Sequence, residues 1–124
     1  METKIIRPIR NNANIRIVVP QYVNLYVYTT YFEVSVTLQV NYFTAQWLND
    51  NLCDYSNNYR CFTFCKRSSK GIDRYYISVV RKYNDLNNIP HATRYAAHDD
   101  LCVLKREIRK AKIAQLNEEI NNIH

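Results

Sequence analysis

Phe32-Glu33-Val34-Ser35-Val36-Thr37-Leu38-Gln39-Val40 alternates apolar and polar side chains without a break. In an extended chain successive side chains point to opposite faces, so this run predicts a strand with one buried and one wet face. Upstream, Val23, Leu25 and Val27 alternate with Asn24, Tyr26 and Tyr28, but in the other phase: apolar positions are odd up to Val27 and even from Phe32. One straight strand cannot change phase without turning its apolar face to water. Thr29-Thr30-Tyr31 must therefore hold a hairpin turn or a bulge. Thr-Thr is a poor two-residue hairpin turn, which favours a bulge or a longer connection.

Working outward, residues 15–19 are β-branched and end at Pro20, and residues 60–66 and 74–81 read as two further strands. Between the last two, Ser68-Ser69-Lys70-Gly71 puts the only glycine of the chain where a hairpin needs positive φ. Thr44 is placed to cap a short helix over 45–52, with Ala45, Leu48 and Leu52 on one side. Residues 84–90 are a breaker region, after which Pro90-His91-Ala92-Thr93 can open a short helical turn. A long helix is predicted from His98 or Asp99 to Ile123, with two acids in its first turn. Its apolar residues form two sets, Leu101, Leu104, Ile108, Ala111 and then Ile113, Leu116, Ile120, Ile123, the second rotated round the helix from the first. Either the first set docks on the sheet and the second meets a partner, or both form one broad stripe on the domain's own core.

The expected fold is thus α+β: one domain over 1–124, an antiparallel sheet from 14–43 and 60–81, a short helix near 45–52 and a long C-terminal helix. Residues 1–13 are read as flexible and 113–124 as projecting. A chain of 124 residues is long enough to bury a real core. With a single glycine, no phosphate loop or dinucleotide fingerprint can be assembled. Fifteen asparagines stand beside it, and Asn49-Asp50-Asn51, Asn57-Asn58 and Asn87-Asn88 are read as turns in which Asn replaces glycine.

The net charge of +6 is uneven. Residues 1–59 carry four basic and four acidic side chains, so the whole excess lies beyond them. Such asymmetry points to an anionic partner, nucleic acid first. Two clusters carry the charge. Lys105-Arg106-Glu107-Ile108-Arg109-Lys110-Ala111-Lys112 is a basic run inside the long helix, where like charges at i, i+4 repel. Between Arg60 and Lys82 seven basic residues and one acid interleave with Phe62, Phe64, Tyr75 and Tyr76. Lys66, Arg67, Lys70, Arg74, Lys105, Arg106, Arg109 and Lys110 are the expected phosphate contacts. The competing reading is a structural or interaction protein that self-associates through Ile113, Leu116, Ile120 and Ile123.

Other chemistry is poorly served. Cys61-x3-Cys65 looks like half a zinc site, with Cys53, Cys102, His91 and His98 as completions. In a strand, however, the two thiols lie ~13 Å apart, whereas two sulfurs on one zinc sit within about 4 Å. Reduced free thiols, buried or half-buried, are expected, with no metal and no cofactor. His98 and Cys102 are neighbours on a helix, but they read as a helix start and a small apolar side chain, so no catalytic residue is assigned and no enzyme is expected. Residues 1–10 are charged, and no apolar run reaches membrane-spanning length, so no membrane partner is expected.

The hairpin formed by Cys61-Phe62-Thr63-Phe64-Cys65-Lys66-Arg67 and Asp73-Arg74-Tyr75-Tyr76-Ile77-Ser78-Val79-Val80-Arg81-Lys82, followed by a charged helix, resembles accessory domains found beside KilA-N and baculovirus-repeated-ORF domains in large DNA viruses of insects. The Asn, Tyr, Ile and Lys bias fits an AT-rich viral genome. The resemblance implies a virus-encoded, nucleic-acid-associated protein and transfers no functional residue; the host nucleus or cytoplasm is expected because the four cysteines come without a secretory signal.

Overall fold

The computed structural model describes the backbone of residues 3–6, 17–52 and 60–122, and the side chains of 18–51 and 61–121. In chain order the elements are β1 (Thr3–Ile6), β2 (Ile17–Pro20), β3 (Val23–Val27), β4 (Phe32–Val40), α1 (Tyr42–Leu52), β5 (Arg60–Ser69), β6 (Ile72–Tyr83), a 3₁₀ turn (Leu86–Asn88), α2 (Ile89–Tyr95), a π-type turn (Ala96–Asp100) and α3 (Leu101–Asn122). β1 and β2 pair as an antiparallel ribbon. The other four strands form an antiparallel sheet in the order β3-β4-β6-β5. The α+β class is as the alternation of residues 32–40 predicts.

The change of phase before Phe32 is a hairpin. Val27 pairs directly with Phe32, and the Tyr28 N–H donates to the Tyr31 carbonyl at 2.8 Å. The four-residue connection lets Val27 and Phe32 face the same way although one is odd and the other even. At the second hairpin the strands run closer to the tip than expected: Ser69 pairs with Ile72, leaving Lys70 (φ 52°) and Gly71 (φ 76°) as the two central residues. Two positive φ values in succession make a type I′ turn, whose twist matches that of the strands.

Several local expectations are corrected. Helix α1 starts at Tyr42 and is capped by Asn41, whose side-chain oxygen accepts the Thr44 N–H at 2.8 Å. Thr44 itself is buried. Asn49-Asp50-Asn51 lies within α1 and is no turn, because helical packing of Leu48 outweighs the weak preference of Asn for loops. Asn87-Asn88 does turn the chain, and the Asp85 carboxylate accepts the Asn87 N–H at 3.0 Å. Asn57-Asn58 lies outside the described residues. The C-terminal helix begins nine residues before His98, at Ile89. Pro90 sits in its first turn, where no N–H is needed. His98 and Asp99 are therefore mid-helix residues in the π-type turn.

That turn separates two dockings of one continuous helix. Upstream, Ile89, Ala92 and Ala96 pack into a core cluster with Val23, Leu25, Phe32 and Val34. Downstream, Leu104 and Ala111 pack with Leu48, Ile77 and Val79. Each fully buried Leu or Ile contributes roughly 1.5–3 kcal/mol. α1, α2 and α3 all lie on the face of the sheet that carries Val34, Val36, Ile77 and Val79. The opposite face is open.

Candidate nucleic-acid interface

The type I′ turn fixes the register of β5 on β6 and so decides which way each hairpin cation points. Register partners share a face, and neighbours along a strand do not. Phe62 opposes Val79 and Phe64 opposes Ile77, on the helix-covered face. Lys66, in the same phase, opposes Tyr75. Its ammonium lies 3.7 Å from the Asp73 carboxylate, which also accepts the Ser68 hydroxyl. The Ser68 hydrogen bond, with Lys66 helping, holds the Asp73 pKa below the usual carboxylate range. Arg67 is in the other phase and directly opposes Arg74 on the open face. Both are exposed, and among the described residues neither has a carboxylate partner. Lys70 is exposed at the tip.

The second cluster lies on the other side of the molecule. α3 faces the sheet with Leu104 and Ala111. At 3.6 residues per turn, Lys105 and Arg109 fall ~100° and ~140° round from Leu104, and Arg106 and Lys110 fall still further round. All four are exposed. Glu107, buried on the same helix, takes two of them: Lys110 at 3.1 Å and Arg106 at 3.8 Å. The eight expected contacts thus make no single footprint. Arg67 and Arg74 face one way, Lys105 and Arg109 the other, and Lys66 is turned to the helix side of the hairpin.

Sequence reasoning passed over the open face itself. A polar trough of about 420 Å³ crosses all four strands there, lined by Asn24, Tyr26, Ser35, Thr37, Gln39, Cys65, Arg67, Tyr76 and Ser78, with Gln21 at its margin. Thr37 and Ser78 are register partners whose hydroxyls meet at 2.6 Å, and the Ser35 hydroxyl lies 3.3 Å from that of Thr37. Tyr26 is 41% exposed. The Arg67 guanidinium stacks on Tyr76, 5.2 Å from the ring centre. Farther along the same face, Lys82 lies 4.3 Å above the ring of Tyr31, which stacks on Tyr28. The signal was present in the wet phase of β4, where Ser35, Thr37 and Gln39 are all uncharged hydrogen-bonding residues.

Between the layers, Arg81 of β6 reaches Asp100 in the π-type turn at 3.0 Å and lies over the Tyr95 ring at 5.1 Å. Asp100 is fully buried. Burial pushes its pKa up to about 6 against the opposing pull of Arg81, with Asp99 adding to the rise. Contrary to the expectation of buried or half-buried thiols, Cys61, Cys65 and Cys102 are all exposed, and Cys61 and Cys65 point to the open face, four residues apart on one strand. Among the described residues no group of three His, Cys, Asp or Glu is clustered for a metal. Cys53 lies outside them. His98 Nδ1 is 2.8 Å from its neighbour Asp99, whose pKa this contact lowers, with Tyr95 assisting. Among the described residues no helix is long and apolar enough to cross a membrane.

No protein-family model, no curated protein and no solved structure matches the chain.

Proposed function

We propose that this chain is a non-enzymatic nucleic-acid-binding protein, virus-encoded as its composition and hairpin suggest, that holds phosphates on its sheet-borne arginines. The observation that carries the reading is the pairing of Arg67 with Arg74. Two cations directly opposite one another on a sheet repel, with side chains starting ~5 Å apart. A phosphate between them removes that repulsion, and bidentate guanidinium geometry suits it. The α3 stripe is the weaker half of the surface, because Glu107 already engages Arg106 and Lys110.

Binding of a labelled oligonucleotide across a salt series tests the reading. Phosphate contacts predict affinity that falls steeply with salt, and replacing Arg67 or Arg74 with Gln lowers the log–log slope by about 1 each. Arg109→Gln changes it less. Absence of binding at low salt defeats the proposal.

A second reading rests on α3. Ile113, Leu116 and Ile120 are 53%, 57% and 55% exposed and fall ~120–180° round from Leu104, away from the core. Ile123 lies outside the described residues. The stripe follows a basic stretch and is flanked by Glu118 and Glu119, so antiparallel pairing with a second copy sets opposite charges together. Light scattering on a chain truncated before Ile113 tests this: an oligomer that survives the truncation excludes the stripe as its interface.

A further inference from the structure

The geometry points to the open face of the sheet as a binding trough for single-stranded nucleic acid, its bases stacked on Tyr26 and Tyr76 and its phosphates held at Arg67 and Arg74. This rests on the nucleic-acid reading above and narrows it in ligand and in place.

Three features of the trough select a single strand. The first is the position of the aromatics. Tyr26 on edge strand β3 and Tyr76 on β6 stand on the same face, one at each end of the concavity. A flat ring offers a base its own face, and every base has a matching one, so stacking is strong and tolerant of sequence. In a duplex those base faces are already occupied by neighbouring pairs. The guanidinium on Tyr76 does not close the site, because Arg planes also accept stacked bases. The second is the floor. Ser35, Thr37 and Ser78 form a chain of hydroxyls between the tyrosines. Hydroxyls both donate and accept, so they meet base edges of either polarity. In a duplex the Watson–Crick edges are consumed by pairing. A protein partner fits poorly, since the middle of a protein interface is apolar and the lining of this trough carries no aliphatic side chain. The third is the charge on the rim. Arg67 and Arg74 stand at one end and Lys82 at the other, with Glu33 as the acid opposite Lys82.

The α3 cations lie on the other side of the molecule and touch none of this. The two surfaces therefore make different predictions. A strand in the trough responds to the tyrosines and ignores α3, and a duplex laid on α3 does the reverse.

Fluorescence anisotropy at low salt, with one labelled oligonucleotide of about 12 nucleotides given as single strand and as duplex, separates the cases. The trough predicts tighter binding of the single strand. It predicts weakening of about 5- to 150-fold in Tyr76→Ala, the span of base–aromatic stacking, and near-parental binding in Tyr76→Phe, which keeps the ring. Tyr26→Ala, on an exposed edge residue, repeats the test should Tyr76→Ala unfold by circular dichroism. Arg109→Gln leaves single-strand affinity within about twofold. Equal or tighter binding of the duplex, lost in Arg109→Gln and unchanged in both tyrosine variants, overturns the trough and leaves the nucleic-acid reading standing. Failure of both probes to bind at low salt overturns both.

Discussion

Arg81 and Asp100 join the sheet to the helix layer: a guanidinium nitrogen on β6 lies 3.0 Å from a carboxylate oxygen that the π-type turn has brought wholly inside the protein. The pair is the most heavily desolvated charge contact among the described residues. Its carboxylate carries the largest burden, since burial raises the Asp100 pKa to about 6 while Arg81 only partly offsets the rise.

The first prediction follows from the sign of that shift. An aspartate in the unfolded chain titrates near 3.9. Between about pH 4 and pH 6 the folded protein holds a proton that the unfolded chain does not, so stability rises as pH falls through this window. The gain is on the order of 2 kcal/mol if Asp100 acts alone. Urea denaturation from pH 7.5 down to about pH 4.5 checks it, and Asp100→Asn flattens the profile. Parental and Asp100→Asn profiles that run parallel from pH 7.5 to about pH 4.5 contradict the assignment, since Asp73 and Asp99, whose pKa values are lowered, contribute equally to both.

The second prediction concerns the pair as a unit. Removing one partner of a buried ion pair strands the other, typically at a cost of about 3–5 kcal/mol, whereas replacing both with apolar groups is often neutral. Arg81→Met alone is expected to lose about 3 kcal/mol at neutral pH, because it strands the buried Asp100 carboxylate. Arg81→Met combined with Asp100→Leu is expected to restore most of it, measured as urea midpoints. The partial exposure of Arg81 places the single-variant loss at the lower end of the range.

The third prediction sets stability against binding. Arg67→Glu turns a repulsive cross-strand pair with Arg74 into an attractive one, worth about 0.2–1 kcal/mol. The thermal midpoint should rise slightly while oligonucleotide affinity falls. Loss of both stability and binding indicates that Arg67 serves mainly to pack on Tyr76.

The fourth prediction isolates the hairpin turn. Lys70 occupies a left-handed conformation that costs a lysine about 1 kcal/mol, and the type I′ turn favours Asn-Gly at this place. Lys70→Asn should stabilise the protein by up to about 1 kcal/mol. Gly71→Ala should destabilise it by a similar amount through backbone strain alone, because an added Cβ there meets no atom within 4 Å. Chemical denaturation reads both.

Much of this architecture is legible in the residues themselves. The alternation of residues 32–40, the phase change after Val27 and the Gly71 hairpin define β3 to β6, because period-2 burial is a local signal. The docking of Leu104 and Ala111 is legible for the same reason on a helix. The start of the C-terminal helix was not, since the Asn-rich residues before Pro90 and the acids at 99–100 each imitate a boundary. The burial of Asp100 was invisible for a different reason: a widened turn has no composition of its own. The candidate site was half legible. Net charge located the hairpin, but Lys66, Arg67, Lys70 and Arg74 read as one cluster until the register assigned Lys66 to one face and Arg67 and Arg74 to the other. Tyr26, Thr37 and Ser78 drew no notice because uncharged polar residues on a strand look like ordinary solvated positions.

The π-type turn at Ala96–Asp100 also sets how this chain can change length. A helix that docks through Ile89, Ala92 and Ala96 on one cluster and through Leu104 and Ala111 on another has a fixed phase between its ends. The widened turn absorbs one extra residue: at ~100° per residue Leu104 would stand ~80° round from Ala96, and the underwound turn takes up about that much, so that both face the core. Substitutions along α3 leave that phase untouched. A one-residue deletion between residues 96 and 100 is therefore the length change this helix accepts, since it leaves a regular helix with Leu104 still facing the sheet, whereas a deletion farther along α3 swings everything beyond it by ~100°.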